Sequence, residues 1–163
     1  LLAMAIGEGI NIAGLQNLVG QDGKVLTIKS YIALRSVMLV LVKFFCRYKI
    51  SFLGSTEYVI LKGPTCEPAD IVFLVDGSAS VSVSDYGVQM QFVTDVSNKI
   101  IEYPGIFVGV VVFDSEQVLV APLILSLNQS AFFKALSSYT NSFGGYTSVS
   151  DAIDFARGHI ADQ

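Results

Sequence analysis

The sequence predicts an α/β fold, an open and mostly parallel sheet with helices on both faces and an antiparallel edge strand. Three observations carry that prediction. Continuous apolar runs recur at Ile71–Val75 and Ile106–Phe113, too short for most helices and too unbroken for strands with one wet face, so each reads as a strand buried on both faces. Segments with apolar residues at helical spacing follow such strands, as βαβ units require. The polar turn Asp114-Ser115-Glu116 is too short for a crossover, so it makes Gln117–Ala121 an antiparallel neighbour of the strand before it.

Composition narrows the class. The chain has 163 residues, 52% of them apolar and only 15% charged, which suits a core-rich globular protein of ordinary domain size. A net charge of -4 leaves no basic stripe to neutralise phosphates, which argues against nucleic acid and against an anionic membrane surface. The most apolar region, Tyr31 to Cys46, is interrupted by Arg35 and Lys43 and reads as a buried helix rather than a membrane span. No basic segment precedes the opening apolar stretch, so it does not read as a signal peptide.

In chain order, Leu1–Ile6 reads as a strand closed by Gly7-Glu8-Gly9, and Ile12, Leu15, Leu18 and Val19 mark a helix capped by Asn11 and stopped by Gly20. Lys24–Lys29 reads as a strand. After Ser30, a possible cap, Leu34, Val37, Met38, Leu41 and Phe45 fall on one helical stripe. Tyr58–Leu61 is strand-like, and Gly63-Pro64 marks a boundary.

The run Ala69–Val75 ends in Asp76-Gly-Ser78-Ala-Ser80. The loop leaving the carboxyl end of a buried strand is where open α/β sheets bind ligands. Asp76, Ser78 and Ser80 offer only oxygen, a donor set for a hard cation rather than for zinc or copper, although the same residues could simply cap a helix. Ser84 or Asp85 can then cap a helix burying Val88, Phe92, Val93, Val96 and Ile100, ended by Pro104-Gly105. Asn128-Gln129-Ser130 can open the next helix through Phe132, Phe133 and Leu136, and it is also an N-glycosylation sequon. Phe143-Gly144-Gly145-Tyr146-Thr147-Ser148 leads into a last helix, Val149–His159.

The Asp-x-Ser-x-Ser loop, with Cys66 and Ala69–Asp76 before it, resembles the metal-ion-dependent adhesion site of von Willebrand factor type A domains. The resemblance is to the extracellular-matrix branch found in matrilins and type VI collagen. It implies a Rossmann-like sheet, a Mg2+ or Mn2+ ion held by Asp76, Ser78, Ser80 and Thr147, and protein ligands such as collagens bound outside the cell. Ser148 and Ser150 are the neighbouring alternatives to Thr147, and Tyr146 stands where that family commonly has Gly.

Ala5–Gly9, Leu15–Leu18, Leu26–Ile28, Ala33-Leu34 and Cys46 are similar to the end of such a domain. Residues 1–46 therefore read as the C-terminal part of one A-like domain, 47–65 as a linker, and 66–163 as the N-terminal part of a second, incomplete one. The family's further aspartate, after its fourth strand, falls beyond Gln163, so weak metal binding is expected of this chain. In the family, cysteines flanking a domain pair within it. Cys46 and Cys66 are the two disulfide candidates here, as thiols from different domains.

Enzymatic readings have less support. His159 is the only histidine, with no Ser or Cys predicted beside it for a triad, and neither nucleotide-binding glycine motif is present. Phosphoryl transfer through Asp76 would need a second adjacent acid.

Overall fold

The computed structural model describes residues 68–161 together with 2–6, 12–19, 21, 24–28, 46–47, 50–52, 59–61 and 65–66. The helix expected after Ser30 lies outside the described residues, as do Asn11 and Gly20.

In the first part, strand β1 (Leu2–Ile6), helix α1 (Ile12–Val19) and strand β2 (Lys24–Ile28) form a parallel βαβ unit with Leu2 opposite Lys24 and Ile6 opposite Ile28. Four short strands follow: β3 (Cys46–Arg47), β4 (Ile50–Phe52), β5 (Val59–Leu61) and β6 (Thr65–Cys66).

The second part is a three-stranded sheet. Strand β7 (Ala69–Asp76) runs parallel to β8 (Ile106–Phe113), and β8 pairs antiparallel with β9 (Gln117–Ala121). The turn between β8 and β9 is closed by the Asp114 side chain, whose Oδ1 accepts from the Glu116 N–H at 2.8 Å. Helices α2 (Val83–Ile100), α3 (Gln129–Ser138) and α4 (Val149–Ala161), with a 3₁₀ turn over Leu123–Leu127, complete this part.

Helices cover both faces of the sheet. On one, Phe92, Val93, Val96 and Ile100 of α2 pack with Val75, Val108, Val110 and Val112, and the Phe73 and Phe92 rings meet edge to face at 6.4 Å. Val88 of the expected stripe is half-buried and packs at the margin of the same cluster. On the other face, Val72, Gly109 and Val111 lie with Leu123 and with Ala156 of α4. Seven of the eight residues of β8 are buried, as its unbroken apolar run requires. Ile71–Leu74 of β7 are only half-buried, contrary to the expectation of full burial, because β7 is an edge of the described sheet while β8 is its centre.

Capping residues also differ in part. Asn128 caps α3 as expected, its Oδ1 accepting from the Ala131 N–H at 3.1 Å. Helix α2, however, is capped by Ser82 rather than Ser84 or Asp85. The Ser82 Oγ accepts from the Asp85 N–H at 3.1 Å and donates to the Asp85 carboxylate at 2.8 Å. Asp85 thus sits in the first turn, where a carboxylate faces the unpaired N–H groups of the helix start. Among the described residues, no helix is long and apolar enough to cross a membrane.

Candidate metal-binding site

The site is built at the carboxyl end of β7 from two loops. The first loop folds on itself. The Asp76 Oδ1 accepts from the Ser78 N–H at 2.9 Å, and the Val81 N–H donates to the Ser78 carbonyl at 3.0 Å. These bonds turn the chain at once from strand into helix and aim the Ser78 and Ser80 hydroxyls at one another, 3.0 Å apart. Two outside contacts hold the strand end: the Gly77 N–H donates to Phe113 O at 2.8 Å, and Gln89 of α2 donates to the Asp76 carbonyl at 3.1 Å.

The second loop, Asn141–Ser148, reaches the first from 69 residues away, with the Thr147 Oγ1 2.8 Å from the Ser78 Oγ. Its shape depends on left-handed backbone at Phe143 (φ 52°) and Gly145 (φ 76°). At Gly145 a side chain would collide with the Ser115 hydroxyl and would also lie 2.9 Å from the Ser115 backbone N, so only glycine fits. Phe143 carries the strain of that region for a bulky residue, on the order of 1–3 kcal/mol. Its ring is held edge to face against Tyr86, with centroids 5.1 Å apart.

Asn141, buried, fastens the two loops together. Its Nδ2 donates to the Gly77 carbonyl at 2.8 Å, and a Cβ on residue 77 would lie 2.6 Å from the same amide. A side chain at residue 77 would therefore displace an amide that comes from 64 residues away and binds the Gly77 carbonyl. A backbone bond from the Ala79 N–H to Gly145 O at 3.4 Å adds a second tie.

Three hydroxyls thus converge beside one carboxylate. Ser78 is 1% exposed at the centre of the cluster, Asp76 is half-buried, and Ser80 and Thr147 are exposed at its rim. A serine hydroxyl has one proton and two lone pairs, so Ser78 can bond both neighbours and still keep one bonding capacity in reserve. The donors are all hard oxygens, which fits a small divalent cation that keeps part of its water shell. Among the described residues, no three His, Cys, Asp or Glu side chains group to hold a metal. Any cation here relies on hydroxyls.

The alternatives to Thr147 have other surroundings. Ser148 is buried and hydrogen-bonds the Asp151 carboxylate at the start of α4, while Ser150 is exposed on that helix. Tyr146 is 68% exposed beside Thr147. The sequence reading did not single out Asn141, Gln89 or Gly77 as positioning residues. Asn141 and Gln89 carry no local signal, whereas Asp-Gly before a helix is a turn signal that could have drawn notice to Gly77.

A cleft of about 260 Å³ lies next to the site, lined by Asp114, Ser115, Glu116, Tyr139, Asn141 and Gly145 among others. Burial, and secondarily the neighbouring Asp114, raises the Tyr139 phenol pKa above its ordinary value.

Comparison with known proteins bears on this geometry. The family model for the von Willebrand factor type A domain matches residues 70–163. Among solved structures, proximal thread matrix protein 1 from the mussel byssus, with a zinc-occupied MIDAS motif, is 20% identical, with a TM-score of 0.50 over 96% of this chain and 38% of its own. The domain of the type V pili tip protein Mfa5 from Porphyromonas gingivalis is 16% identical, with a TM-score of 0.43 over 59% of this chain and 33% of its own. The chain therefore spans about a third of the length of these solved chains. None of the curated proteins matches. The byssus protein supports the fold, and the family match extends over more than half of the sequence: this chain belongs to the von Willebrand factor type A domain family, whose members typically mediate protein–protein interactions and bind metal through such a site.

Proposed function

We propose that this chain is part of an extracellular adhesion or matrix protein, of the matrilin and type VI collagen kind, that binds protein ligands such as collagens through a divalent cation. The ion is Mg2+ or Mn2+, held by Asp76, Ser78, Ser80 and Thr147. The observation that carries the reading is the meeting of the Ser78 and Thr147 hydroxyls, 2.8 Å apart, beside the Asp76 carboxylate at the end of β7.

A bound cation supplies an electrophilic position for an acidic side chain of the ligand. The protein's own residues divide the remaining work. Asp76 supplies charge and, through its bond to the Ser78 N–H, fixes the loop. Ser78 is the buried anchor, and Ser80 and Thr147 form the open rim through which a partner reaches the site. With one carboxylate among four ligands, magnesium binds more weakly than micromolar.

Catalysis forms no part of this proposal. The ring of His159 stacks on Phe155 and its Nδ1 lies 2.8 Å from the Phe155 carbonyl, which engages it with its own helix. A second reading, a structural matrix module without a working cation, draws support from the single carboxylate. Solid-phase adhesion to collagens and other matrix proteins separates the two. Adhesion lost on chelation, restored by Mg2+ or Mn2+, and absent in Asp76→Ala supports the cation-dependent reading. Adhesion indifferent to both supports the structural one.

A further inference from the structure

Two short antiparallel ladders lie between the βαβ unit and β7. Cys46 and Arg47 of β3 stand opposite Cys66 and Thr65 of β6, and Ile50, Ser51 and Phe52 of β4 stand opposite Leu61, Ile60 and Val59 of β5. In one antiparallel hairpin, partner numbers fall by one at each step towards the tip. From Arg47 opposite Thr65, an unbroken ladder would bring Ile50 opposite Lys62, and its actual partner is Leu61. The two ladders therefore have the register of one hairpin with a single-residue shift, the offset a β-bulge produces. In backbone register, Cys46 and Cys66 are the paired residues farthest from its tip.

Residues directly opposite in an antiparallel pair have Cα atoms about 4.5 or 5.5 Å apart, depending on whether they exchange hydrogen bonds. Both separations fall inside the range of roughly 4.4–6.8 Å that a disulfide spans. We propose that Cys46 and Cys66 form an intrachain disulfide that closes the base of this hairpin. The register, rather than the count of two cysteines, selects this pairing over links between copies of the chain.

The oxidant is a small-molecule or protein disulfide. The thiolate of one cysteine attacks it, forming a mixed disulfide and releasing one thiolate. The second cysteine, after losing its proton, attacks the protein sulfur of that mixed disulfide, forms the Cys46–Cys66 bond and expels the other thiolate. Two electrons pass to the oxidant and two thiol protons are released. The bond removes freedom from the unfolded chain and fixes the register three residues before β7 begins.

The test is peptide mapping of the wild-type chain after equilibration with reduced and oxidised glutathione, acid quenching and alkylation in denaturant. Trypsin cleaves after Lys43, Arg47, Lys62 and Lys99, which isolates Phe44–Arg47 and Gly63–Lys99. The proposal predicts these two peptides joined in monomeric protein, separating on reduction, with neither cysteine alkylated beforehand. The Cys66→Ser variant then carries glutathione on Cys46. Two alkylated cysteines, separate glutathione adducts on both, or peptides linked only between copies would overturn it.

Discussion

The two loops of the candidate site reach similar positions by different means. The loop Gly77–Val81 is shaped mainly from within, with outside ties at Gly77 and Ala79: the Asp76 carboxylate holds the Ser78 N–H, and the Ser82 cap starts α2 directly afterwards. The loop Asn141–Ser148 relies on distant support: Ser115 beside Gly145, Tyr86 against Phe143, and Gly77 under the Asn141 amide. A locally bonded loop keeps its shape when its partner is disturbed. A loop held from outside loses its shape when any one support goes. Substitutions in the two loops should therefore separate charge, which resides in the first, from positioning, which depends on the second.

The largest effect is expected at Asp76. Asp76→Asn retains an oxygen for the Ser78 N–H and removes the charge, so the loop and the fold persist. Cation affinity measured by calorimetry should fall by more than the roughly 10–100-fold typical of losing a supporting residue. An unchanged affinity would place the charge elsewhere. Next comes Gly145→Val, which forces a branched side chain into left-handed backbone and against Ser115. It should cost about 1–3 kcal/mol in urea unfolding and weaken cation binding together, and a loss confined to stability would uncouple the loop from the site.

Asn141→Ala should act on positioning with less damage. It leaves the Gly77 carbonyl short of its buried donor, which costs about 1–3 kcal/mol, and lowers cation affinity about tenfold. Binding that survives intact would mean the Ala79 to Gly145 tie suffices.

The smallest effect is expected at Tyr86, whose buried hydroxyl has no partner among the described residues. Tyr86→Phe keeps the ring contact with Phe143 and removes the orphan group, so the stability at neutral pH should hold or rise by up to about 1 kcal/mol. Burial, and secondarily Tyr139, raises the phenol pKa above its ordinary value of 10.0. A folded-state pKa above the unfolded one gives stability that is present below about pH 10 and lost as pH rises further. The variant should lack this part of the alkaline loss, and identical alkaline melts for both proteins would count against the assignment.

Strand and turn chemistry made much of the fold legible. Ile106–Phe113 and Gln117–Ala121 occupy the stretches their patterns indicate, and Asn128 caps its helix, because these features depend on neighbours in sequence. The half-burial of β7 was not legible, since a run of apolar residues does not say whether a strand is central or at an edge. The cap of α2 was misplaced by two or three residues because Ser82, Ser84 and Asp85 are all good capping residues, and the Ser82–Asp85 pairing decides among them. In the site, the Asp76-x-Ser78-x-Ser80 spacing announces itself. Asn141 does not, because its role is a contact across 64 residues.

The central claim is that hydroxyls from both loops serve one ion. Mn2+ titration of the wild-type chain, Ser78→Ala, Thr147→Ala and the double variant tests it directly. The account predicts that each single change weakens binding markedly and that the double change costs clearly less than the two losses added together. Thr147→Ala with wild-type affinity, or losses that simply add, would contradict it.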